Sequence, residues 1–253
     1  MINGSKTVVV VGLGEVGAPL LELVSKHHSG MGIDISPPSD VPNEVDVLHI
    51  CFPFQIHDFI GETARYIELF RPRLTIVNST VAVGTTRHIA QRTGTAVSYS
   101  PVRGKHARMR EDLERYTKFV AAVNREIAKA ASDHFASMGL KTRIVSSPET
   151  AELAKLSETT FFGLMIAWAQ QVERYADRVS ADYDEIVSFY EEIGFFPPVK
   201  YFPGVIGGHC VMPNIELLRR LEDSEILEAI RSSNWKKIER EANLSGIAKY
   251  VDL

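Results

Sequence analysis

Cysteine is nearly missing from this chain: Cys51 and Cys210 are the only two in 253 residues. Two thiols cannot build a disulfide framework, and no Cys/His grouping has the spacing of zinc ligands, so no structural or catalytic metal is expected. An excess of one charge sign is also absent, with 28 Lys+Arg against 32 Asp+Glu and a net charge of −4. That balance gives nucleic acid or an anionic membrane no electrostatic purchase, and neither is expected as a partner. Long apolar runs are lacking as well. The longest, Phe161 to Ala169, is about half of the ~20 residues that span a bilayer. The start, Met1-Ile2-Asn3-Gly4-Ser5-Lys6, has no basic segment, apolar stretch and cleavage site in succession. No signal peptide is expected, and the reducing cytoplasm is the expected compartment. What remains is an ordinary globular composition, 45% hydrophobic and 24% charged, which excludes disorder as the main theme. The chain is long enough to bury a core.

The pattern along the chain is alternating. Thr7 to Val11 is a β-branched run of the kind buried on both faces of a parallel sheet. It is followed by Gly12-Leu13-Gly14-Glu15-Val16-Gly17, a helical stretch from Ala18 to Lys26, and a second strand, Met31 to Ile35. Strands at Val45–Phe52, Leu74–Val77, Ala96–Tyr99, Lys118–Val123 and Thr142–Val145 come between helical patterns at His57–Phe70, Thr85–Arg92 and Arg125–Met138. This alternation predicts an α/β fold, a Rossmann-like doubly wound parallel sheet, over residues 1–146. Residues 147–253 read as an all-helical domain, with a long helix from Glu149 to Arg178, then Asp182–Ile193, Pro213–Leu221 and Glu225–Asn234. The Phe195–Gly208 segment reads as a loop. Within the long helix the stretch FFGLMIAWA has no polar face, and a helix apolar all round is buried all round. The simplest cover is a second copy of the chain, so a homodimer built on the helix over 149–178 is expected.

The Gly12–Gly17 turn is a GxGxxG that follows a strand and opens a helix, the context that gives this motif meaning. Gly12 permits the tight turn and Gly14 lets backbone approach a pyrophosphate. Glu15 and Val16 bring the amides of the helix N-terminus, and Gly17 allows close helix–strand packing. Asp34, at the end of the second strand, can accept from both ribose hydroxyls and repels a 2′-phosphate. NAD is therefore the expected cofactor.

Three further segments stand out: Asn78-Ser79-Thr80…Gly84-Thr85-Thr86, Glu152-Leu153-Ala154-Lys155-Leu156 and Pro203-Gly204-Val205-Ile206-Gly207-Gly208-His209-Cys210. Together and in this order they resemble the UDP-glucose/GDP-mannose dehydrogenase family. The GGHC form is most similar to its UDP-N-acetylhexosamine branch, and the resemblance covers roughly residues 5 to 235. It implies oxidation of a primary alcohol to a carboxylate by two hydride transfers to NAD, with the intermediate aldehyde held on a cysteine as a thiohemiacetal and then a thioester. Cys210 matches that cysteine. Lys155 matches the family's lysine, a cation for the developing oxyanion, and Thr80 the threonine that helps hold a water near the nicotinamide. Pro53 and Ser79, after the third and fourth strands, fall among the cofactor-binding positions. Gly207, Gly208, His209, Thr159, Asn214 and Arg231 fall among the substrate positions. Cys51, inside a strand, reads as a small buried hydrophobe.

The departures from the family fall on proton handling. Thr159 stands where the family has Asn, Asn214 where it has Asp, and Val102 where the Ser-Pro-Glu-Arg stretch carries a glutamate acid/base. The family also continues into a third domain that binds the nucleotide half of the substrate. The residues after Asn234 are too few for one, so much of that surface is expected to be missing unless a separate partner chain supplies it. The leading expectation is a shortened NAD-dependent oxidoreductase acting on a CH–OH group. A catalytically reduced NAD-binding sensor or partner subunit is the first alternative, and a 3-hydroxyacid-dehydrogenase-like enzyme the second.

Overall fold

The computed structural model describes residues 4–34, 42, 44–104, 108–194, 202–207, 210–222 and 224–244. The chain divides into two compact units, Met1–Lys155 and Leu156–Leu253.

The first unit is built on β1 (Thr7–Val11), β2 (Ser29–Ile33), β3 (Val47–Ile50), β4 (Leu74–Val77), β5 (Val97–Tyr99), β6 (Lys118–Ala122) and β7 (Thr142–Ile144). They form a seven-stranded sheet in the order β2-β1-β3-β4-β5-β6-β7. Between them run α1 (Gly17–Ser25), α2 (Phe59–Phe70), α3 (Thr85–Thr93), α4 (Met109–Arg115) and α5 (Arg125–Ser137). Alternate residues of each strand enter opposite faces. Val9, Val11, Leu48, Ile50, Val77 and Tyr99 pack with Phe59, Tyr66, Ile67 and Ile89 of α2 and α3. Val8, Val10, Val47, Ile76 and Val120 pack with Leu20, Leu23, Leu113 and Phe135 of α1, α4 and α5. Each fully buried aliphatic side chain contributes about 1.5–3 kcal/mol. Two helix starts of this unit carry side-chain caps: Asp58 accepts from Gly61 N–H to open α2, and Asn124 accepts from Ile127 N–H to open α5.

Three details differ from the sequence expectation. The sheet is not wholly parallel: β5 and β6 pair antiparallel, Tyr99 opposite Ala121, while β6–β7 is parallel again. The connection from β5 to β6 carries one short helix, the seven-residue α4, and returns at the end of the sheet where β5 finishes, as the antiparallel pairing requires. Strand β2 lies two residues earlier than expected, because its register pairs Thr7 with Ser29 and Val11 with Ile33. Helix α4 itself was not expected, since Met109–Arg115 (MREDLER) offers a single apolar pair at helical spacing, Met109 and Leu113.

A long helix, α6 (Pro148–Val179), leaves the first unit. The second unit continues with α7 (Tyr183–Glu191), α8 (Val211–Arg219) and α9 (Glu225–Leu244). Its core joins Ala167, Ile206, Val211, Ile215, Leu227 and Ile230. Helix α9 runs ten residues past the expected end at Asn234. Ion pairs hold the extension, with the buried Lys237 ammonium bridging both oxygens of Glu173 at 3.0 and 2.9 Å. The apolar stretch of α6 is buried on one side only: Gly163, Ala167 and Ala169 are covered, whereas Phe161, Phe162, Leu164 and Trp168 are exposed in this chain. Among the described residues, no helix is long and apolar enough to cross a membrane and no His/Cys/Asp/Glu group is arranged to hold a metal.

Candidate functional site

The glycine turn is shaped by contacts that only glycine allows. Gly12 has φ +88°, and a Cβ there would lie 2.6 Å from Phe52 N. A Cβ on Gly17 would lie 1.7 Å from the Gly12 carbonyl oxygen, so helix α1 seats directly on the turn. At Gly14 nothing lies within 4 Å of the Cβ position. The N-terminus of α1 has no side-chain cap and no acidic residue in its first turn. An open backbone beside an uncapped helix start fits an anionic pyrophosphate. Asp34, just beyond β2, is exposed and its Oδ1 accepts from Leu13 N–H at 3.2 Å. Its carboxylate is thus already turned toward the glycine turn. Pro53 is exposed after β3. Ser79, buried after β4, donates to the Phe52 carbonyl at 2.6 Å and ties the two loops together. The residues at this sheet edge fit the two phosphates and one ribose of a dinucleotide.

Thr80, half-buried, follows in the loop that leads to α3. The N-cap of α3 is Gly84, whose φ of +93° needs glycine and which offers no side-chain cap. Glu152 supplies one from α6. Its Oε2 accepts from Gly84 N–H at 2.7 Å, and its Oε1 accepts from Thr86 N–H at 2.9 Å and from Thr86 Oγ1 at 2.7 Å. Burial pushes the Glu152 carboxyl upward while these donors from Thr86 and Gly84 pull it back. One turn before it, Glu149 takes a two-pronged bond from Arg87 at 2.6 and 3.1 Å. Lys155 is half-buried one turn after Glu152.

Beneath the loops lies a polar seam the sequence did not announce. Lys118 is buried, donates to the carbonyls of Ser100 and Pro101 at 3.0 and 3.2 Å, and lies 5.0 Å over the Phe135 ring. Burial first, with the Arg103 and Lys155 charges added, pulls its ammonium down to about 7. Val102, buried in the helix-packed face of the sheet, has no titratable group to offer. The Cys51 thiol is pushed up to about 12 by burial, an inert state consistent with a packing role.

In the second unit the Pro203–Gly207 loop is gripped by side chains that sequence reasoning passed over. Asn234 Oδ1 accepts from Ile206 N–H at 2.7 Å and its Nδ2 donates to the Ile206 carbonyl at 3.1 Å. Gln170 Nε2 donates to the Gly204 carbonyl at 2.7 Å. Ser233 Oγ sits 2.9 Å from Gln170 Oε1 and receives Arg174 Nη2 at 3.0 Å. Cys210 is exposed and occupies the N-cap position of α8. Asn214, one turn on, is buried, and its N–H donates to the Cys210 carbonyl at 3.2 Å. Gly207 is exposed with open space at its Cβ position, and Thr159 is half-buried on α6. Arg231 is occupied by two carboxylates, Glu228 at 3.0 Å and Glu216 at 3.4 Å. Gly208 and His209 lie outside the described residues. The signal for Gln170 and Asn234 was slight: the first of two Gln residues directly after the apolar stretch, and the Asn that closes Arg231-Ser232-Ser233-Asn234.

A Rossmann-like sheet with a glycine-rich first turn, followed by a helical unit, defines the class. Residues 149–238 match the central domain of the UDP-glucose/GDP-mannose dehydrogenase family. The chain is 25% identical over 186 residues to the UDP-N-acetyl-D-mannosamine dehydrogenase of Methanocaldococcus jannaschii, a match covering 67% of this chain and 43% of the relative. The Pyrococcus horikoshii protein of the same name is 29% identical over 179 residues, 65% of this chain and 42% of the relative. A solved structure of UDP-D-ManNAc dehydrogenase from Pyrococcus horikoshii superposes with a TM-score of 0.79 at 21% identity, covering 94% of this chain and 70% of that one, and shows a shared fold. The chain is thus similar to the UDP-glucose/GDP-mannose dehydrogenase family, through the central domain over residues 149–238, and it matches less than half the length of these curated relatives.

Proposed function

We propose that the protein is an NAD-dependent oxidoreductase of nucleotide-sugar-dehydrogenase type, oxidising a CH–OH group of a sugar or related substrate. The observation that carries this reading is the turn after β1, where Gly14 stands open beside an uncapped helix start with Asp34 alongside. Gly12, Gly14, Glu15, Val16 and Gly17 hold the pyrophosphate, Asp34 accepts from the adenosine ribose, and Pro53 and Ser79 line the route toward the nicotinamide end. NAD, when bound, supplies the hydride acceptor.

The chain's own residues do the rest. A Cys210 thiolate adds to the carbonyl carbon of the aldehyde, forming a C–S bond while the carbonyl electrons move to oxygen. By the family resemblance, Lys155 has the role of the cation that stabilises the charge on that oxygen. Thr80 holds the water that later cleaves the thioester. In this reading the substrate side of the second unit is formed by Gly207, Gly208, His209, Thr159, Asn214 and Arg231.

The exposed Phe161, Phe162, Leu164 and Trp168 on α6 support a homodimer through that helix, since a run of large apolar side chains favours a partner surface. Size-exclusion chromatography with light scattering tests it, and a monomer at micromolar concentration contradicts it.

Buried Val102, in the place of the family's glutamate, supports a second reading: a catalytically reduced protein that binds NAD and senses it or serves a partner. The discriminating experiment is NADH formation across panels of sugars, nucleotide sugars and polyols, paired with calorimetry of NAD. Turnover supports the oxidoreductase. NAD binding without turnover on any panel supports the second reading, and absence of NAD binding contradicts both.

A further inference from the structure

The contact between the start of α6 and the start of α3 is unusual in how much it satisfies at once. Helix α3 begins at a glycine without a side chain, so its first N–H groups need an outside acceptor. Both oxygens of Glu152 meet donors only: Gly84 N–H, Thr86 N–H and the Thr86 hydroxyl. An ionised carboxylate, which accepts and does not donate, suits all three. The Glu152 side chain is fully buried, as is Thr86, and a charge so placed persists only because the donors and the positive end of α3 compensate it. The Arg87–Glu149 pair lies one turn away on the outside of the same contact.

The two elements so joined carry two different functional positions. The loop from Asn78 to Gly84 holds Thr80, and its near end is pinned by Ser79 to the Phe52 carbonyl. Lys155 is one helical turn after Glu152, where i and i+3 side chains share a face. A carboxylate that fixes the far end of the loop and the turn before Lys155 therefore sets the register between Thr80 and Lys155.

We propose that Glu152 is the positioning residue of the reaction: its buried carboxylate, clamped on the N-terminus of α3, holds Lys155 and the Thr80 loop in working register. The inference rests on the reading of Lys155 as the cation of an oxidoreductase. It assigns Glu152 no contact with substrate.

The test uses the full-length protein and the variants Glu152→Gln, Glu152→Asp and Thr86→Val. Gln keeps the size but turns an NH₂ group against one of the donors, Asp withdraws the carboxylate by one methylene, and Thr86→Val removes only the hydroxyl. Two readouts are needed. In the first, kcat for NADH formation falls up to about a hundred-fold in Glu152→Gln, with NAD affinity unchanged and partial recovery in Glu152→Asp. The second is independent of turnover. Lysines are reductively methylated with ¹³C, the Lys155 signal is assigned through Lys155→Arg, and its chemical shift is read by NMR. The signal moves in folded Glu152→Gln and also in folded Thr86→Val, which keeps the carboxylate and disturbs only the clamp. A merely structural Glu152 lowers melting temperature but leaves kcat and the Lys155 signal of folded Thr86→Val where they were, and that result overturns the proposal. If the wild-type chain turns over nothing, the oxidoreductase reading fails on the first readout, while the Lys155 signal still decides whether the clamp positions Lys155.

Discussion

Asn234 holds Ile206 by both of its backbone groups, accepting from the N–H at 2.7 Å and donating to the carbonyl at 3.1 Å. A side-chain amide used this way replaces a missing strand partner for the loop that leads to Cys210. Its own position is fixed by Gln170, whose Nε2 lies 3.4 Å from Asn234 Oδ1. Asn234→Ala leaves two buried backbone groups without partners, and each costs about 1–3 kcal/mol. The midpoint of urea unfolding is therefore expected to fall clearly. Asn234→Asp keeps the acceptor but faces the Ile206 carbonyl with a second oxygen, and is expected to be destabilised as well. A variant as stable as wild type would show that the loop does not depend on this grip.

Gly14 and Gly17 should separate binding from folding. Alanine at Gly17 puts a Cβ on the Gly12 carbonyl oxygen, and the resulting overpacking costs about 1–3 kcal/mol. Alanine at Gly14 meets no protein atom within 4 Å, so melting temperature should be unchanged. Its methyl occupies space needed by the pyrophosphate, and NAD affinity by calorimetry should drop at least about ten-fold, or 1.4 kcal/mol. Unchanged NAD affinity in Gly14→Ala would place the cofactor elsewhere.

Three histidines make the first unit sensitive to acid. Asn78 Nδ2 donates to His49 Nδ1 at 3.0 Å, which leaves His49 Nε2–H to donate to His134 Nε2 at 2.9 Å. His28 stacks on His134 and bonds Ser137 Oγ at 2.9 Å. A proton added to either nitrogen that now accepts sets N–H against N–H. Burial, chiefly, lowers all three, and His134 falls to about 3. A folded-state pKa below the unfolded value means the unfolded chain binds more protons as pH falls. Stability is thus complete above about 6.5 and lost progressively between there and about 3. Urea unfolding from pH 7 down to 4 should show this slope. His134→Leu should be less stable at pH 7, because His49 loses its acceptor, and should show a shallower acid slope. A slope equal to wild type would refute this assignment.

Lys118 acts in the same direction over a higher pH window. Its folded-state value of about 7 lies below the ordinary 10.5, so the unfolded state binds the extra proton between those values. The cost of burying the charge is full below about 7 and vanishes above about 10.5, and stability contributed at this site rises with pH across that range. Lys118→Met removes that rise. The check is the difference in unfolding free energy between wild type and Lys118→Met at pH 7 and pH 9.5, which should shift in favour of wild type at the higher pH.

The sequence was most legible where short-range chemistry acts. The β1 run and the glycine turn are local signals, and the elements they mark lie within a few residues of expectation. Helix α4 offers only Met109 and Leu113 as an apolar face, and β2 contains Ser29 and Gly30, poor strand formers that pair because β1 dictates the register. The extension of α9 rests on Lys237 reaching Glu173, a long-range pairing invisible in a window of sequence. The same holds for the site. Gly12, Gly14 and Gly17 were readable because backbone geometry demands them, whereas Glu152, Gln170 and Asn234 matter through partners at least 28 residues away.

The most direct measurement is the yield of NADH per molecule of limiting nucleotide-sugar alcohol, followed to completion with wild type and Cys210→Ala. The account predicts two hydride transfers per substrate in the wild type, ending at the carboxylate, and loss of the second when the thiol is removed. A wild-type yield of one, or a yield of two that survives Cys210→Ala, would contradict it.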